Sequence, residues 1–172
     1  MPKVKEIIPQ GQLVPFWLFM RDTRTIPIAQ KLKSISKSND DYIIKTYDFI
    51  KANVQYVLDK KSFGMEEYVQ MPDETLRNGK ADCEDMSILF VNLMLHAGIP
   101  ARMALGYGGS SSHRWPEVIY GGQWYVFDPT VDKSQGIFPI SEYKSYHYDP
   151  LYYVYPFAIE LTKLPIPPIP VP

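Results

Sequence analysis

Cys83 is the sole cysteine among 172 residues. That scarcity excludes an intrachain disulfide and the stapled architecture of small secreted domains. Paired CxxC halves are missing as well. Cys83, His113 and Asp128 are acceptable zinc ligands, but no short-spaced ligand pairs accompany them, so no metal is expected. An excess of charge is also lacking: 18 basic residues against 19 acidic ones leave a net charge of −1 and a pI near 6.3. A balance of that kind offers no field for a phosphate backbone to select, so nucleic acid is not an expected partner. No apolar run approaches the roughly 20 residues of a membrane span. The patch from Leu13 to Met20 is interrupted by Pro15 and followed by no small-residue cleavage site. Neither a signal peptide, a transmembrane helix nor a membrane partner is expected, and the expected location is cytoplasmic. Calcium loops, Gly-rich phosphate motifs and cofactor lysine motifs do not stand out, so no cofactor is expected.

What is present suffices for one core. With 45% hydrophobic residues the chain reads as a single domain. Residues 1–37 form an N-terminal arm that packs through Phe16, Trp17 and Phe19, residues 38–162 form the domain, and residues 163–172 form a tail. The tail is rich in proline from Pro165 to Pro172, reads as extended, and its PxxP spacing leaves a protein partner open.

Between Ser38 and Leu58, Ile43, Ile44, Tyr47, Ile50, Val54 and Val57 repeat at helical spacing, with Ser38, Asn39 or Asp40 available as the cap. Residues 59–80 carry Gly64, Pro72 and Gly79 and read as a long irregular connection. A second helix starts at Cys83. Asp82 is its N-cap and Asp85 the far member of a capping box, Met86, Leu89, Phe90, Leu93 and Ala97 make one apolar stripe, and Gly98 and Pro100 end it. Ala101 to Tyr107 reads as a strand, Gly108 to Ser112 as a flexible loop, and two further strands flank Gly121-Gly122. Tyr143 to Phe157 adds a strand or two. The class is α+β, a helix carrying the cysteine against an antiparallel sheet.

A thiol at a helix start faces backbone N–H groups that have no internal partner, and the aligned peptide dipoles favour negative charge there. Cys83 is therefore expected to lean toward thiolate. The ordinary alternative is a buried sulfur acting as a small hydrophobe.

The hairpin places two partners for it. If Gly121 and Gly122 form a two-residue turn, Tyr120 faces Gln123 and Trp115 lies opposite Asp128. His113, Trp115, Val126 and Asp128 then share one face, with His113 and Asp128 as diagonal neighbours within reach of a hydrogen bond. A carboxylate on one imidazole nitrogen fixes the tautomer and leaves the other nitrogen to exchange a proton with a thiol. Each residue has a plainer explanation: His113 as a strand histidine with local partners, Asp128 before Pro129 as a turn former. The coincidence of all three favours a triad. His96 complements the negative end of its helix, and His147 sits in a tyrosine-rich loop that could line a cleft.

The blocks Pro72-Asp73-Glu74-Thr75-Leu76, Lys80-Ala81-Asp82-Cys83-Glu84-Asp85, Ala97-Gly98-Ile99-Pro100-Ala101-Arg102, His113-Arg114-Trp115 and Trp124-Tyr125-Val126-Phe127-Asp128-Pro129-Thr130 together resemble the transglutaminase-like superfamily of papain-related folds. The resemblance spans roughly residues 40 to 132. It implies Cys83 as nucleophile, His113 as general base and acid, and Asp128 as the residue that orients His113. Ala81 stands where similar proteins usually have glycine, and the Arg- and Gly-rich motif of arylamine acetyltransferases is absent. Members of this superfamily include protein crosslinkers, cysteine proteases, glycan-removing amidases and inactive relatives. The chemistry common to the active branches is thiolate attack on an amide carbonyl to give a thioester, released to water or to an amine. The oxyanion would meet the Cys83 N–H and one further donor, for which Tyr68, Gln70 and the Trp115 indole are candidates. The expectation is a thiol hydrolase acting on a protein or peptide. The rivals are transfer to a lysine amine and an inactive binding module.

Overall fold

The computed structural model describes residues 16–58, 68–156 and 159–161. Gly64 and the Pro-rich tail, with the readings made for them, lie outside the described residues. The chain enters through α1 (Phe16–Phe19), a 3-10 turn at Thr23–Thr25 and α2 (Ile26–Ser34). Phe16 and Met20 are buried in the main core, and Trp17 and Phe19 pack against it. α3 (Asn39–Asn53) follows, capped by the Ser38 hydroxyl, which accepts from the Asp41 N–H.

The helix expected to reach Leu58 stops at Asn53. Val54 turns extended, and β1 (Gln55–Tyr56) pairs in parallel with β2 (Lys80–Ala81). Backbone bonds from Gln55 N–H to Gly79 O and from Val57 N–H to Ala81 O hold that pairing, so the strand partner overrides the helical periodicity of Val54 and Val57. The connection before Cys83 is not wholly irregular either. It contains α4 (Pro72–Asn78), with Pro at its start, Asp73 and Glu74 in its first turn, and Gly79 closing it at φ 64°.

α5 (Cys83–His96) is the central element. Asp82 caps it by accepting from the N–H groups of Glu84 and Asp85, and Gly98 at φ 72° ends it. Bonds from Gly98 N–H to Leu95 O and from Ile99 N–H to Met94 O complete a Schellman motif. One apolar stripe was the expectation, but every residue from Cys83 to Met94 is buried. The reason is that α5 is enclosed, with α1 to α4 packed around it on one side and the sheet on the other.

The sheet is antiparallel, with the order β6-β5-β4-β3-β7-β8. Its strands are β3 (Ala101–Gly108), β4 (Ser111–Tyr120), β5 (Gln123–Phe127), β6 (Ile137–Pro139), β7 (Tyr148–Val154) and β8 (Ile159–Leu161), with α6 (Lys133–Gly136) between β5 and β6. Gly108 to Ser112 is strand rather than loop, except for the turn at Gly109 and Ser110, because Gly108 pairs with Ser111 and Tyr107 with Ser112. The second hairpin has the expected register: Tyr120 faces Gln123 and Glu117 faces Val126. Gly121 and Gly122 both adopt positive φ, 58° and 80°, which a two-residue turn of this twist demands.

The two faces of the sheet differ. Met103, Leu105, Val118, Phe127 and Val154 join the α5 core. Ala104, Trp115, Val126 and Phe138 form a second, aromatic cluster with Tyr143, Tyr146, Tyr148 and Tyr153 on the far face. Among the described residues, no helix is long and apolar enough to cross a membrane.

Candidate active site

Period-two alternation carries His113 to the aromatic face beside Trp115, and the hairpin brings Asp128 to meet it just beyond the end of β5. His113 Nε2 lies 2.6 Å from Asp128 Oδ2. Because a carboxylate accepts, Nε2 carries the proton, and Nδ1 is the nitrogen that Asp128 does not engage. The imidazole stacks on Trp115 with 5.8 Å between ring centres.

Asp128 is wholly buried, and its two oxygens do different work. Oδ1 accepts from the Thr130 N–H at 2.9 Å and the Thr130 hydroxyl at 2.7 Å, the Asx-turn that the plainer reading of Asp-Pro anticipated. Oδ2 takes His113 and the phenol of Tyr148, the latter at 2.7 Å. Burial pushes the Asp128 carboxyl up, but the bonds from His113 and Thr130 outweigh it and hold the group below the usual carboxylate range. Its backbone is clamped as well, with the N–H on Gly136 O at 2.7 Å and the carbonyl accepting from Tyr47 at 3.2 Å.

Cys83 stands at the first position of α5, as expected, but its electrostatics are the reverse of the expectation. The residue is 7% exposed. Burial, and then the carboxylates of Glu84 and Asp82, push the thiol well above the ordinary cysteine range, with the Arg114 guanidinium and the Arg114 N–H opposing them. The helix terminus favours an anion, but desolvation and two adjacent negative charges oppose it and push the thiol up. The Arg114 N–H places the sulfur against β4 at the residue next to His113. Glu84 ties the same strand to α5 through Arg114 at 3.3 Å.

The three proposed oxyanion donors are otherwise engaged. The Tyr68 hydroxyl donates to Glu74 at 2.8 Å. The Gln70 side-chain amide gives its hydrogens to Lys80 O at 3.0 Å and Asp85 Oδ2 at 2.8 Å, and the Trp115 indole donates to Glu117 at 2.9 Å. Gln70 and Trp115 are wholly buried besides. These bonds make Gln70 a brace between α5 and β2, and Trp115 a wall behind His113. His96 Nε2 donates to Asp22 O at 2.6 Å, which gives it a structural partner on the N-terminal arm.

A cleft of about 610 Å³ opens at this end of the sheet. His113, Tyr148, His147, Tyr56, Thr130 and Asp132 contribute to its wall, whereas Cys83 does not. Tyr56 and Tyr148 were not foreseen as site residues. The Tyr56 phenol is pushed up to about 12 by burial and then by the negative groups around it, Cys83 foremost if ionised. Among the described residues, Asp82, Cys83 and Glu84 are the one group of metal-ligand types whose donor atoms lie within 4.8 Å of one another. The Asp82 carboxylate there caps α5, and that of Glu84 pairs with Arg114.

The model of the transglutaminase-like superfamily matches residues 26–129. Solved structures that share the fold include these two. One is a candidate cysteine protease from Cytophaga hutchinsonii, 23% identical, aligned over 81% of this chain and 48% of its own with a TM-score of 0.58. The other is LapG from Legionella pneumophila, 18% identical, aligned over 89% of this chain and 91% of its own with a TM-score of 0.62. This chain thus spans about half the length of the first and nine tenths of the second. No curated protein matches it.

Proposed function

The chain belongs to the transglutaminase-like superfamily, and from that premise we propose that it is a thiol hydrolase cleaving a peptide or isopeptide bond with Cys83, His113 and Asp128. The observation that carries this reading is that His113, on the wall of an open cleft, makes a 2.6 Å bond to a buried, fully hydrogen-bonded Asp128 behind it. A histidine so held has a fixed tautomer and a carboxylate in place opposite the nitrogen that would receive a proton, the arrangement that proton transfer from a thiol uses.

The Cys83 thiol passes its proton to His113 Nδ1 as the sulfur attacks the carbonyl carbon, and Asp128 stabilises the imidazolium. The carbonyl oxygen becomes an oxyanion, met by the Cys83 N–H at the start of α5, while Asp82 occupies those of Glu84 and Asp85. Collapse breaks the C–N bond, the imidazolium returns its proton to the leaving amine, and a thioester remains. His113 then takes a proton from water, hydroxide attacks the thioester, and the acid leaves as the sulfur regains its proton. Because burial and the carboxylates of Glu84 and Asp82 disfavour a thiolate, proton transfer in this reading accompanies attack rather than preceding it.

Cys83→Ala abolishes turnover of a peptide and isopeptide substrate panel and leaves the fold intact by circular dichroism. Hydrolysis persisting in that variant would sink the assignment. Incorporation of a labelled amine into a glutamine peptide would instead indicate acyl transfer. Alkylation of Cys83 by iodoacetamide that is indifferent to His113→Ala would indicate an inactive module.

A further inference from the structure

Three of the four donors on Asp128 come from its own hairpin or the turn that follows it. The fourth, Tyr148, comes from β7, on the other side of both β4 and β3 in the sheet. It reaches Asp128 because β3 is stripped of bulk on this face. Gly106 pairs with His113 on one side and Pro150 on the other, and Gly108 pairs with Ser111 and Tyr148. A Cβ on Gly108 would stand 3.0 Å from the His113 ring, and one on Gly106 would stand 2.0 Å from Asp149 O. With glycine at both places, the Tyr148 ring crosses over β3 to meet Trp115 edge-on at 4.8 Å and His113 at 5.9 Å.

Orientation of the carboxylate does not require this contact. Oδ1 is already held by two bonds from Thr130, and Oδ2 faces His113. What the phenol does is share Oδ2 with the imidazole. Burial and the Asp128 charge push Tyr148 well above the ordinary tyrosine range, so it stays protonated and stays a donor.

We propose that Tyr148 is a positioning residue that divides the charge of Asp128 between its own hydroxyl and His113, and so limits how strongly Asp128 stabilises the imidazolium formed when Cys83 yields its proton. The inference rests on His113 acting as the base in the function proposed above. A hydrogen bond to a carboxylate withdraws charge from the oxygen that accepts it, and in a buried network that loss is felt by the other donor. Tyr148 is thus a restraint on the thiol, acting in the same direction as the burial and the neighbouring carboxylates that disfavour its anion.

The test is Tyr148→Phe, which keeps the ring and removes the hydroxyl. Iodoacetamide should alkylate Cys83 roughly threefold to tenfold faster near neutral pH, and the His113 Nε2–H proton resonance should move downfield as its bond to Asp128 strengthens. Both changes should vanish in an Asp128→Asn background. Site-specific 3-fluorotyrosine at position 148, a stronger donor that retains ring and hydroxyl, should move both readouts the other way, and it reads the same coupling if the Phe variant fails to fold. An unchanged resonance and rate in Tyr148→Phe, or equal changes without Asp128, would overturn the proposal. Failure of the underlying function looks different: alkylation would then ignore His113→Ala, while the resonance would still respond to Tyr148→Phe.

Discussion

Asp128 and Glu117 are both wholly buried carboxylates carried by one hairpin, yet they serve opposite ends. Asp128 faces an imidazole on the wall of a cleft. Glu117 faces Arg102 at 2.8 Å, accepts from Trp115 and the Tyr143 hydroxyl, and is sealed beneath the sheet. Arg102 lies between the rings of Trp124 and Tyr153, 4.0 and 3.5 Å from their centres. A guanidinium never gives up its proton in a protein, whereas an imidazole does so near neutrality. A buried carboxylate can serve a reaction only when its partner can release a proton into an accessible space. Otherwise it is a brace. The brace still supports the site, because Glu117 fixes the Trp115 indole against which His113 stacks.

The comparison breaks most clearly if each carboxylate is neutralised in turn. Asp128→Asn should slow alkylation of Cys83 by about a hundredfold or more, since the imidazolium loses its counter-charge and the tautomer its anchor. Glu117→Gln should leave the alkylation rate of folded protein within about threefold, and an equal loss in both variants would refute the division of labour. The order reverses for stability. Glu117→Gln deprives a buried guanidinium of its partner and should cost about 3–5 kcal/mol by urea unfolding, more than Asp128→Asn. The smallest effect sharpens the contrast through pH. Because the folded Asp128 lies below its ordinary range, its stabilising contribution is complete above the unfolded value of about 3.9 and is lost as pH falls through the lower folded value. The stability gap between the wild type and Asp128→Asn should therefore narrow below about pH 4.

Most of the site's frame was legible because its signals are local. Asp82 and Gly98 mark the ends of α5, and the two glycines of one turn set the register that brings His113 to Asp128. α4 escaped notice because Leu76 is its only large apolar residue, although Pro72, the acidic first turn and Gly79 all mark a helix. The state of Cys83 was misjudged because a helix terminus is visible in the sequence, whereas its enclosure by the sheet is not. Tyr148 was missed for a similar reason: its contact depends on strand order, with β3 passing between β4 and β7. Tyr68, Gln70 and Trp115 looked free to donate until their tertiary partners were known.

Gly121 and Gly122 bear on time as well as on place. His113 and Asp128 lie fifteen positions apart in the chain, and a tight turn closes the ribbon between them. Hairpins form within about 1–10 μs, and contacts of short sequence separation precede distant ones. The α5 helix, in contrast, packs with core residues spread from Phe16 to Val154, so its full set of contacts spans a far wider separation in sequence. The imidazole–carboxylate pair is therefore expected to form before the packing around Cys83 is complete, an order that pulsed hydrogen exchange during refolding would check.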